Sequence, residues 1–375
     1  MKMITSWLKA FFAKHPGDEH QDPHINVIAQ NSSADQKKNR NNQAFYENFY
    51  SLIAAGARLH LIEAMFNLNL FALFEEKAIV SEREIIEKLG LMPVRAQKWL
   101  HLLTDEHFLI KTHLDNQPAY QLPEEFIELI KGYGWWAMKF FFESWKVAAD
   151  ENLTEVLRYG KVKTSVSWPP KTDSEAEWLE YWMKSTADQP LYSVLSRINF
   201  NKVTSFLDVG GGDGTMACAF VTKHPHLNAA VYNLPKSAEL ARKNIAAKNL
   251  SDKVQVIEGD FINDDAFPPG FDLILFTRVF FDWNETVNRK LLKMAYQALP
   301  ENGLVSICEF YKEDNYDMCL ASEYRYLFHD DFASHVMKSA AEYKQMLKEV
   351  GFTLLEPEKQ EKLPPSFCSV LLAKK

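Results

Sequence analysis

The sequence predicts an α/β fold in which a parallel sheet is covered by helices on both faces. Short apolar strands alternate with amphipathic helices over residues 201–350, and a glycine-rich turn follows the first strand. That turn, DVGGGDG (208–214), lies between an apolar run, 203–209, and a segment with helix character, 216–221. This order is typical of a doubly wound nucleotide-type site, because glycines let the backbone approach a ligand and the helix supplies free N–H groups.

The remaining elements follow in the order that a parallel sheet requires. Strand candidates are 229–232, 254–257, 271–276 and 304–308, and helix candidates are 237–249, 285–299 and 340–350. Two apolar segments near the C-terminus, 352–355 and 367–372, predict two further strands. Nucleotide-binding folds place ligand-reading residues directly after their strands, so the strand ends are the candidate binding positions.

Length and composition are those of a two-domain protein with an ample core. The chain has 375 residues, 47% of them hydrophobic, and its net charge of −8 argues against nonspecific nucleic-acid binding. The four cysteines form no C-x-x-C pair and are expected to be buried thiols in a reducing compartment, the cytoplasm. No uninterrupted apolar run approaches ~18 residues, so we expect no transmembrane helix.

The first 42 residues differ from the rest of the chain. Residues 3–13 carry apolar side chains at helical spacing among lysines. We favour packing of this segment on its own protein; the alternative is a weak contact with a membrane surface or a partner. Residues 15–42 are rich in Asn, Asp, Gln, Lys and Ser, which is typical of a mobile linker.

Residues 43–125 have the pattern of a winged helix. SERE (81–84) is a candidate capping box for one helix, Pro93 begins a second, and Asp115-Asn116 separates two short strands. The second helix offers only one arginine and one lysine as firm charges on a face that is otherwise apolar. We therefore interpret this region as a dimerisation or scaffold module rather than a DNA-binding one.

The motifs resemble those of the small-molecule O-methyltransferase family, which uses S-adenosylmethionine (SAM). The segments that carry the resemblance are LDVGGGDG (207–214), YNLP (232–235), EGDF (258–261), RVFFDWNE (278–285) and LPENG (299–303), in family order. The resemblance covers roughly residues 43–375. WPPKT (168–172) and KSAAEYK (338–344) add a likeness to the branch that contains bacteriochlorophyll C-methyltransferases and carotenoid O-methyltransferases.

This resemblance implies a domain organisation. A mostly α-helical winged-helix dimerisation domain is expected at 43–125, and a helical linker and acceptor-pocket region at 126–200. A Rossmann-like class I methyltransferase domain, closed by an antiparallel hairpin, is expected at 201–375. The protein is accordingly expected to be a homodimer that acts on a small molecule and binds no nucleic acid.

The resemblance also assigns a SAM site to the strand ends. By this resemblance, the methionine end of SAM is faced by Asp208, Gly210, Gly211 and Gly212. The ribose is bound by Asn233 with Leu234, and the adenine by Asp260 with Phe261. Arg278 lies beside the cofactor. Asn233 stands where the family usually has Asp, and its amide can still hydrogen-bond in both directions. The simpler interpretation of Arg278 is an ion pair with Asp282 or Glu285.

The proton-transfer residues depart from the family pattern. The family usually has His-Asp-Trp, whose histidine takes the proton of the acceptor hydroxyl. Here the triplet is Phe281-Asp282-Trp283, and a phenyl ring cannot act as a general base. Of the two acids that commonly support the histidine, one aligns with Glu309, whereas the other falls near Met337, just before Lys338, and is lost.

Four residues are candidates for a replacement base. Asp282 and Glu309 are the first two, with a helix N-cap and a strand-end hydrogen-bonding residue as their respective structural alternatives. His329 and His335 lie in the segment that the family uses to line its acceptor pocket, although a surface or core histidine is the default interpretation.

The acceptor pocket is expected to be aromatic and free of metal. Phe281, Trp283, Tyr324 and His329 are predicted to line it, and the density of aromatic residues favours a large, flat, apolar acceptor. No cluster of acids resembles a magnesium site. The sequence thus predicts a SAM-dependent methyltransferase that acts on a bulky aromatic or conjugated molecule. The alternatives are a family member that keeps SAM for structure while performing a non-methyl reaction, and a SAM-responsive winged-helix regulator.

Overall fold

The chain divides into two units that interleave along the sequence. The structure is a computed structural model that describes residues 33–124, 126–127, 135–160, 171–313, 316–328, 336–356 and 368–375. Within these ranges, one unit contains residues 33–73 and 82–107, and the other contains residues 74–81 and 108–375. The apolar segment at 3–13 lies outside the described residues.

Helices make up the first unit. They are α1 (Ser33–Asn67), α2 (Leu70–Glu76, whose last turn belongs to the second unit), α3 (Glu82–Lys88) and α4 (Pro93–Asp105). Gly90 has a left-handed φ of 64° just after α3, and Pro93 begins α4 as predicted. Helix α1 begins inside the segment expected to be a linker, which corrects that expectation: Ala, Gln, Lys and Arg are good helix formers despite their polar context.

A small antiparallel sheet in the second unit contains the predicted hairpin. Strands β1 (Val80–Ser81), β2 (Ile110–Leu114) and β3 (Gln117–Gln121) lie in the order β1-β3-β2. Asp115 and Asn116 connect β2 to β3 with positive φ values of 50° and 61°, which a two-residue type I′ turn requires. The winged-helix domain as a whole stays a prediction.

The second unit is built around a seven-stranded sheet. Its strands are β4 (Ser205–Val209), β5 (Asn228–Asn233), β6 (Val254–Glu258), β7 (Leu273–Thr277), β8 (Leu304–Glu309), β9 (Thr353–Leu355) and β10 (Ser369–Lys374). They lie in the order β6-β5-β4-β7-β8-β10-β9, and β4 to β8 are parallel whereas β10 pairs antiparallel with both neighbours. The strand order reverses between β4 and β7, and ligands of such sheets bind at that point, beyond the carboxyl ends of the strands.

Nine helices are described in this unit after the small sheet. They are α5 (Trp135–Ala149), α6 (Leu153–Tyr159), α7 (Asp173–Ser185), α8 (Asp188–Arg197), α9 (Thr215–Lys223), α10 (Pro235–Ala247), α11 (Glu285–Ala298), α12 (Tyr316–Tyr326) and α13 (Ala340–Val350). Helix α13 has the ends that the sequence predicts, 340 and 350. Ser339 and Glu342 form a capping box at its start, and Gly351 ends it at a φ of 115°.

Apolar clusters cover both faces of the large sheet. Phe206 of β4 packs in one cluster with Phe220, while its neighbour Leu207 packs in the other with Phe276 and Leu292. Burial on both faces explains why the strands are continuous apolar runs. The predicted α/β fold with a terminal antiparallel pair is confirmed. The four cysteines are buried free thiols, and no helix in the described part of the chain is long and apolar enough to cross a membrane.

Candidate active site

The glycine-rich turn connects the end of β4 to the start of α9. Gly210, Gly212 and Gly214 have positive φ values of 68°, 56° and 76°, a backbone conformation that is unfavourable for residues with a side chain. The Gly210 N–H donates to the Tyr232 carbonyl at 2.8 Å, which ties the turn to β5. A ligand can approach the backbone closely here because no side chain intervenes.

A cleft lies beside this turn, between the ends of β4 and β7 and helix α7. Its lining includes Glu180, Met183, Asp208, the glycine turn, Thr277 and Arg278. Asp208 is 1% exposed, and its Oδ2 atom has no hydrogen-bond partner among the described residues. Burial raises the pKa of Asp208 to about 7.

Glu180 of α7 is likewise a buried carboxyl group with one oxygen that lacks a hydrogen-bond partner among the described residues. It is 7% exposed, and its Oε2 atom also lacks a partner in the described part of the chain. Burial raises the pKa of Glu180 to about 7, although the Ser237 hydroxyl acts in the opposite direction. Buried polar atoms are normally hydrogen-bonded, so two carboxyl oxygens without donors in one cleft indicate a ligand that supplies the donors.

The glycines leave the space that these two oxygens occupy. A Cβ atom at Gly211 would lie 2.5 Å from Asp208 Oδ2, and a Cβ atom at Gly212 would lie 2.5 Å from Glu180 Oε2. Any side chain at either position would therefore displace a carboxylate. The cleft thus fits a ligand that lies close to the turn and carries hydrogen-bond donors. The methionine end of SAM is a ligand group of this kind.

Asn233 lies at the end of β5, where the ribose reader is expected. Its Nδ2 atom donates to the Gly212 carbonyl at 2.7 Å, so the amide joins this strand end to the glycine turn. Leu234 follows directly and precedes the first turn of α10. Asn233 and the turn are therefore brought together as the sequence predicts.

Asp260 follows β6, where the adenine reader is expected. Its Oδ1 atom accepts the Ile262 N–H at 3.0 Å, and its Oδ2 atom accepts from Asn263 Nδ2 at 2.7 Å. These bonds hold the carboxylate in a fixed orientation. The Phe261 ring contacts the Trp283 ring edge to face, with 5.7 Å between the ring centroids, so Trp283 lies next to the expected adenine position.

Arg278 anchors helix α7. Its Nη1 atom donates to Thr186 Oγ1 at 2.5 Å, and its Nη2 atom donates to the Met183 carbonyl at 2.8 Å. The residue has a φ of 56°, an unfavourable conformation for a residue other than glycine. Because α7 also carries Glu180, Arg278 helps to hold that carboxylate against the glycine turn.

Glu309 is fixed at the end of β8. It is fully buried, and its Oε1 atom accepts the N–H groups of Val279 at 2.8 Å and of Phe280 at 2.7 Å. Burial raises the pKa of Glu309 well above its ordinary value, and the two N–H donors only partly offset this. This geometry is the one expected of a strand-end hydrogen-bonding residue, because one carboxyl oxygen already accepts two backbone N–H groups.

Asp282 is not the N-cap of the following helix, which corrects one expectation. The N-cap of α11 is Asn284, whose Oδ1 atom accepts the Val287 N–H at 3.1 Å, since a short 3-10 turn over 280–282 delays the start of the helix. Asp282 instead accepts the Tyr326 hydroxyl at 2.8 Å. Burial raises the pKa of Asp282 to about 7.

Phe281 and Met337 lie in one apolar cluster. Buried Tyr326, Val336 and Met337 pack together with Cys319, and Phe281 packs against this group. The position of the family's histidine and the region of its second acid therefore belong to one apolar group. His329 and His335 lie outside the described residues.

A second aromatic group includes Tyr324. Its ring lies 5.4 Å from that of Phe328 and 6.3 Å from that of Trp145, measured between centroids. The Nε1 atom of Trp145 is buried without a hydrogen-bond partner in the described structure. Helix α12 links both groups, since it carries Tyr324 and Tyr326.

Two candidate functional residues, Glu180 and Lys338, are not predicted from the sequence. Lys338 is fully buried and donates to the carbonyls of Trp283 at 2.7 Å and Val336 at 2.5 Å, and burial lowers its pKa to about 8. The available signal for Glu180 was a single acid between aromatic residues, in Trp178-Leu-Glu-Tyr-Trp182. In the described ranges, no group of three His, Cys, Asp or Glu residues is arranged to hold a metal ion.

Known proteins are similar to this chain in sequence and in fold. The L-tyrosine C(3)-methyltransferase of Streptomyces lavendulae is 28% identical over 320 residues, which are 80% of this chain and 85% of that protein. The bacteriochlorophyllide d C-20 methyltransferase of Chlorobaculum tepidum is 28% identical over 192 residues, 51% of this chain and 56% of that protein. The solved structure of the SAM-dependent methyltransferase SibL has the same fold, with a TM-score of 0.70 and 24% identity over 88% of this chain and 98% of that one.

The family assignment rests on the sequence model of the O-methyltransferase domain. It matches residues 150–353, more than half of the chain, and includes the glycine turn, the cleft beside it and the apolar cluster around Phe281. The match and the methyltransferase relatives favour methyl transfer over both alternative functions. This chain belongs to the O-methyltransferase domain family and is a SAM-dependent methyltransferase.

Proposed function

We propose that this enzyme methylates a large aromatic or conjugated molecule at an atom that needs no base at residue 281. The observation that carries the proposal is the apolar cluster of Phe281 and Met337. Where the family has two polar positions, this chain has side chains that belong to one apolar group. A site that lacks both the histidine and its supporting acid favours an acceptor atom that is nucleophilic without losing a proton to a histidine.

The cofactor site uses the strand-end residues. In this proposal Asp208 and the glycines at 210–212 hold the methionine end, Asn233 and Leu234 the ribose, and Asp260 and Phe261 the adenine. When bound, SAM supplies a methyl group that its sulfonium makes electrophilic. The chain contributes alignment of the acceptor with that methyl group, which in favourable cases is worth ~7–11 kcal/mol.

An electron-rich ring carbon is the acceptor atom that we favour. A carbon–carbon bond forms as the sulfur–methyl bond breaks, and the ring then loses the proton of the methylated carbon to restore aromaticity. That proton is strongly acidic, so water or a weakly basic group suffices to accept it. The two relatives named above methylate carbon, according to their names, and an ionised phenol oxygen is the second acceptor that fits the missing base.

The aromatic groups around helix α12 support a flat acceptor. Phe281 and Tyr326 belong to one group, and Tyr324, Phe328 and Trp145 to the other. Apolar and aromatic walls with few polar groups are typical of pockets for such ligands. The partnerless Nε1–H of Trp145 would provide a hydrogen bond to an acceptor oxygen.

We assign supporting roles to the two carboxyl groups near Phe281. Glu309 holds the 279–280 backbone, and Asp282 orients the Tyr326 hydroxyl. Neither is needed as a base if the acceptor is a ring carbon. We assign Trp283 a position between the cofactor and the acceptor sides of the site, which its ring contact with Phe261 supports.

Transfer of an isotopically labelled methyl group tests the proposal. The protein is incubated with SAM labelled with ¹³C in its methyl group and with a small-molecule extract, and the product is isolated. We expect one labelled aromatic compound, in which the carbon chemical shift of the methyl group distinguishes ring-carbon from oxygen methylation. A labelled aliphatic amine or a labelled protein as the only product would contradict the proposal.

Substitution of Phe281 separates acceptor binding from cofactor binding. Phe281→Ala should weaken acceptor binding roughly tenfold or more, because apolar contact worth ~1.5–3 kcal/mol is lost. The affinity for SAM should stay within about twofold of wild type, as calorimetry can measure. Phe281→His should add activity toward less acidic phenols, and equal losses of both affinities in Phe281→Ala would show that the ring has a general structural role.

We also propose that the chain forms a homodimer through its N-terminal helices. Phe49, Tyr50, Leu52 and Ile53 of α1 are each at least half exposed, an unusual run for a helix that stays in contact with water. A second copy of the same helix would cover them in a two-fold interface. Light scattering at micromolar concentration should give a dimer, and Leu52→Glu should shift it to a monomer. A wild-type monomer would refute the interface.

A further inference from the structure

Glu180 faces the same cleft as the glycine turn, although no cofactor role is predicted for it from the sequence. In the proposed function, the residues that bind the adenosine part of the cofactor lie at the ends of β5 and β6. The amino acid end of the cofactor is then left for the other side of the turn, next to β4 and β7. Glu180 lines the cleft on that side together with Asp208 and Thr277.

The cleft has acceptors that need donors. Glu180 Oε2 and Asp208 Oδ2 are both buried, and each lacks a hydrogen-bond partner among the described residues. Lys184 Nζ lies 3.8 Å from Asp213 Oδ2, and the two terminal nitrogens of Arg278 donate to Thr186 Oγ1 and to the Met183 carbonyl, at the C-terminal end of α7. An α-ammonium group has three N–H donors and a positive charge, so a single such group carries enough donors for both oxygens.

We propose that Glu180, together with Asp208, binds the α-ammonium group of SAM and of its demethylated product, S-adenosylhomocysteine. The inference rests on the proposed cofactor site. The position of Glu180 Oε2, 2.5 Å from where a Gly212 Cβ would lie, places the carboxylate directly against the glycine turn. Helix α7 therefore supplies one wall of the cofactor site, and Arg278 positions that wall.

The proposal predicts how cofactor affinity depends on pH. Glu180 is faced by Asp208 and Asp213 from the turn side, by Arg278 after β7, by Lys184 on its own helix and by the Ser237 hydroxyl of α10. Burial raises its pKa to about 7 in the free protein, and an adjacent ammonium group lowers that pKa. Binding therefore releases protons near neutral pH, and affinity falls as the pH drops below about 7, as long as the ligand's ammonium group stays protonated.

A pair of ligands isolates the ammonium contact. S-adenosylhomocysteine has the amino acid end and no sulfonium charge, whereas 5′-methylthioadenosine has the adenosine and the sulfur but no amino acid. Calorimetry at pH 7.5 compares wild type with Glu180→Gln, Glu180→Asp and Glu177→Gln, the last being an exposed acid one turn earlier on the same helix. Repeating the wild-type and Glu180→Gln titrations at pH 6.5 in buffers of different ionisation enthalpy measures the protons released.

Glu180→Gln should weaken S-adenosylhomocysteine binding roughly 10- to 100-fold, the usual effect of removing a charged hydrogen bond, and leave 5′-methylthioadenosine within about twofold. It should also reduce proton release, Glu180→Asp should recover part of the affinity, and Glu177→Gln should match wild type. Unchanged S-adenosylhomocysteine binding in Glu180→Gln overturns the inference, as does an equal loss for both ligands, since Glu180 would then only shape the turn. Failure of folded wild type to bind S-adenosylhomocysteine would instead overturn the proposed cofactor site itself.

Discussion

Replacement of Gly210 by valine is expected to weaken SAM binding about a hundredfold or more, which corresponds to ~3 kcal/mol. Gly210 has a φ of 68°, and a Cβ atom there would lie 3.0 Å from Val279 Cγ2. A β-branched residue cannot keep this backbone conformation without strain. The turn must therefore shift, and its N–H bond to Tyr232 with it. Isothermal calorimetry measures the loss directly.

Gly270→Val is the matched control. Gly270 also has a positive φ, 100°, but no atom lies within 4 Å of the Cβ position. The control should lose stability through backbone strain alone, with a lower melting temperature and an unchanged SAM affinity. Wild-type affinity in Gly210→Val would show that the glycine turn is not the cofactor site.

Glu309→Leu should reduce the free energy of unfolding by ~2–6 kcal/mol. The leucine removes the only described acceptor oxygens for two buried N–H groups, those of Val279 and Phe280, and each such loss costs ~1–3 kcal/mol. Glu309→Gln keeps an amide oxygen that accepts the same two bonds. It should retain most of the stability and turnover, because the role that we assign to Glu309 is to accept these two hydrogen bonds.

Denaturant unfolding and steady-state kinetics of the two variants decide between the roles of Glu309. A structural residue predicts large destabilisation in the leucine variant and a small effect in the glutamine variant. The opposite pattern, with Glu309→Gln fully stable but inactive, would identify Glu309 as a base. In that case the wild-type pH–rate profile should also contain a limb that the variant lacks.

Local signals made the fold of the methyltransferase domain predictable. The capping box of Ser339 and the turn at Gly351 mark the ends of α13, and both are visible in the sequence. Strands buried on both faces are continuous apolar runs. The turn at 210–214 contains closely spaced glycines, which a strand or a helix would not require. These features depend on neighbours along the chain, so they can be recognised without tertiary structure.

Features that depend on packing between distant segments were not predictable. Glu180 has the local pattern of an acid on an amphipathic helix, and only its position against Gly212 removes it from solvent. Lys338 is a charged residue whose burial depends on the carbonyl of Trp283, 55 residues away in sequence. The N-cap at Asn284 in place of Asp282 follows from the 3-10 turn, which Glu309 stabilises from β8.

The position of β10 also has a consequence for synthesis. Strand β10 lies between β8 and β9 although it follows both along the chain. While the polypeptide emerges from the ribosome, β8 has no partner on that side and β9 has no sheet to join until residues 369–374 arrive. A nonsense codon before residue 369 would therefore leave two open strand edges, the kind of surface that leads to aggregation and removal by cellular quality control.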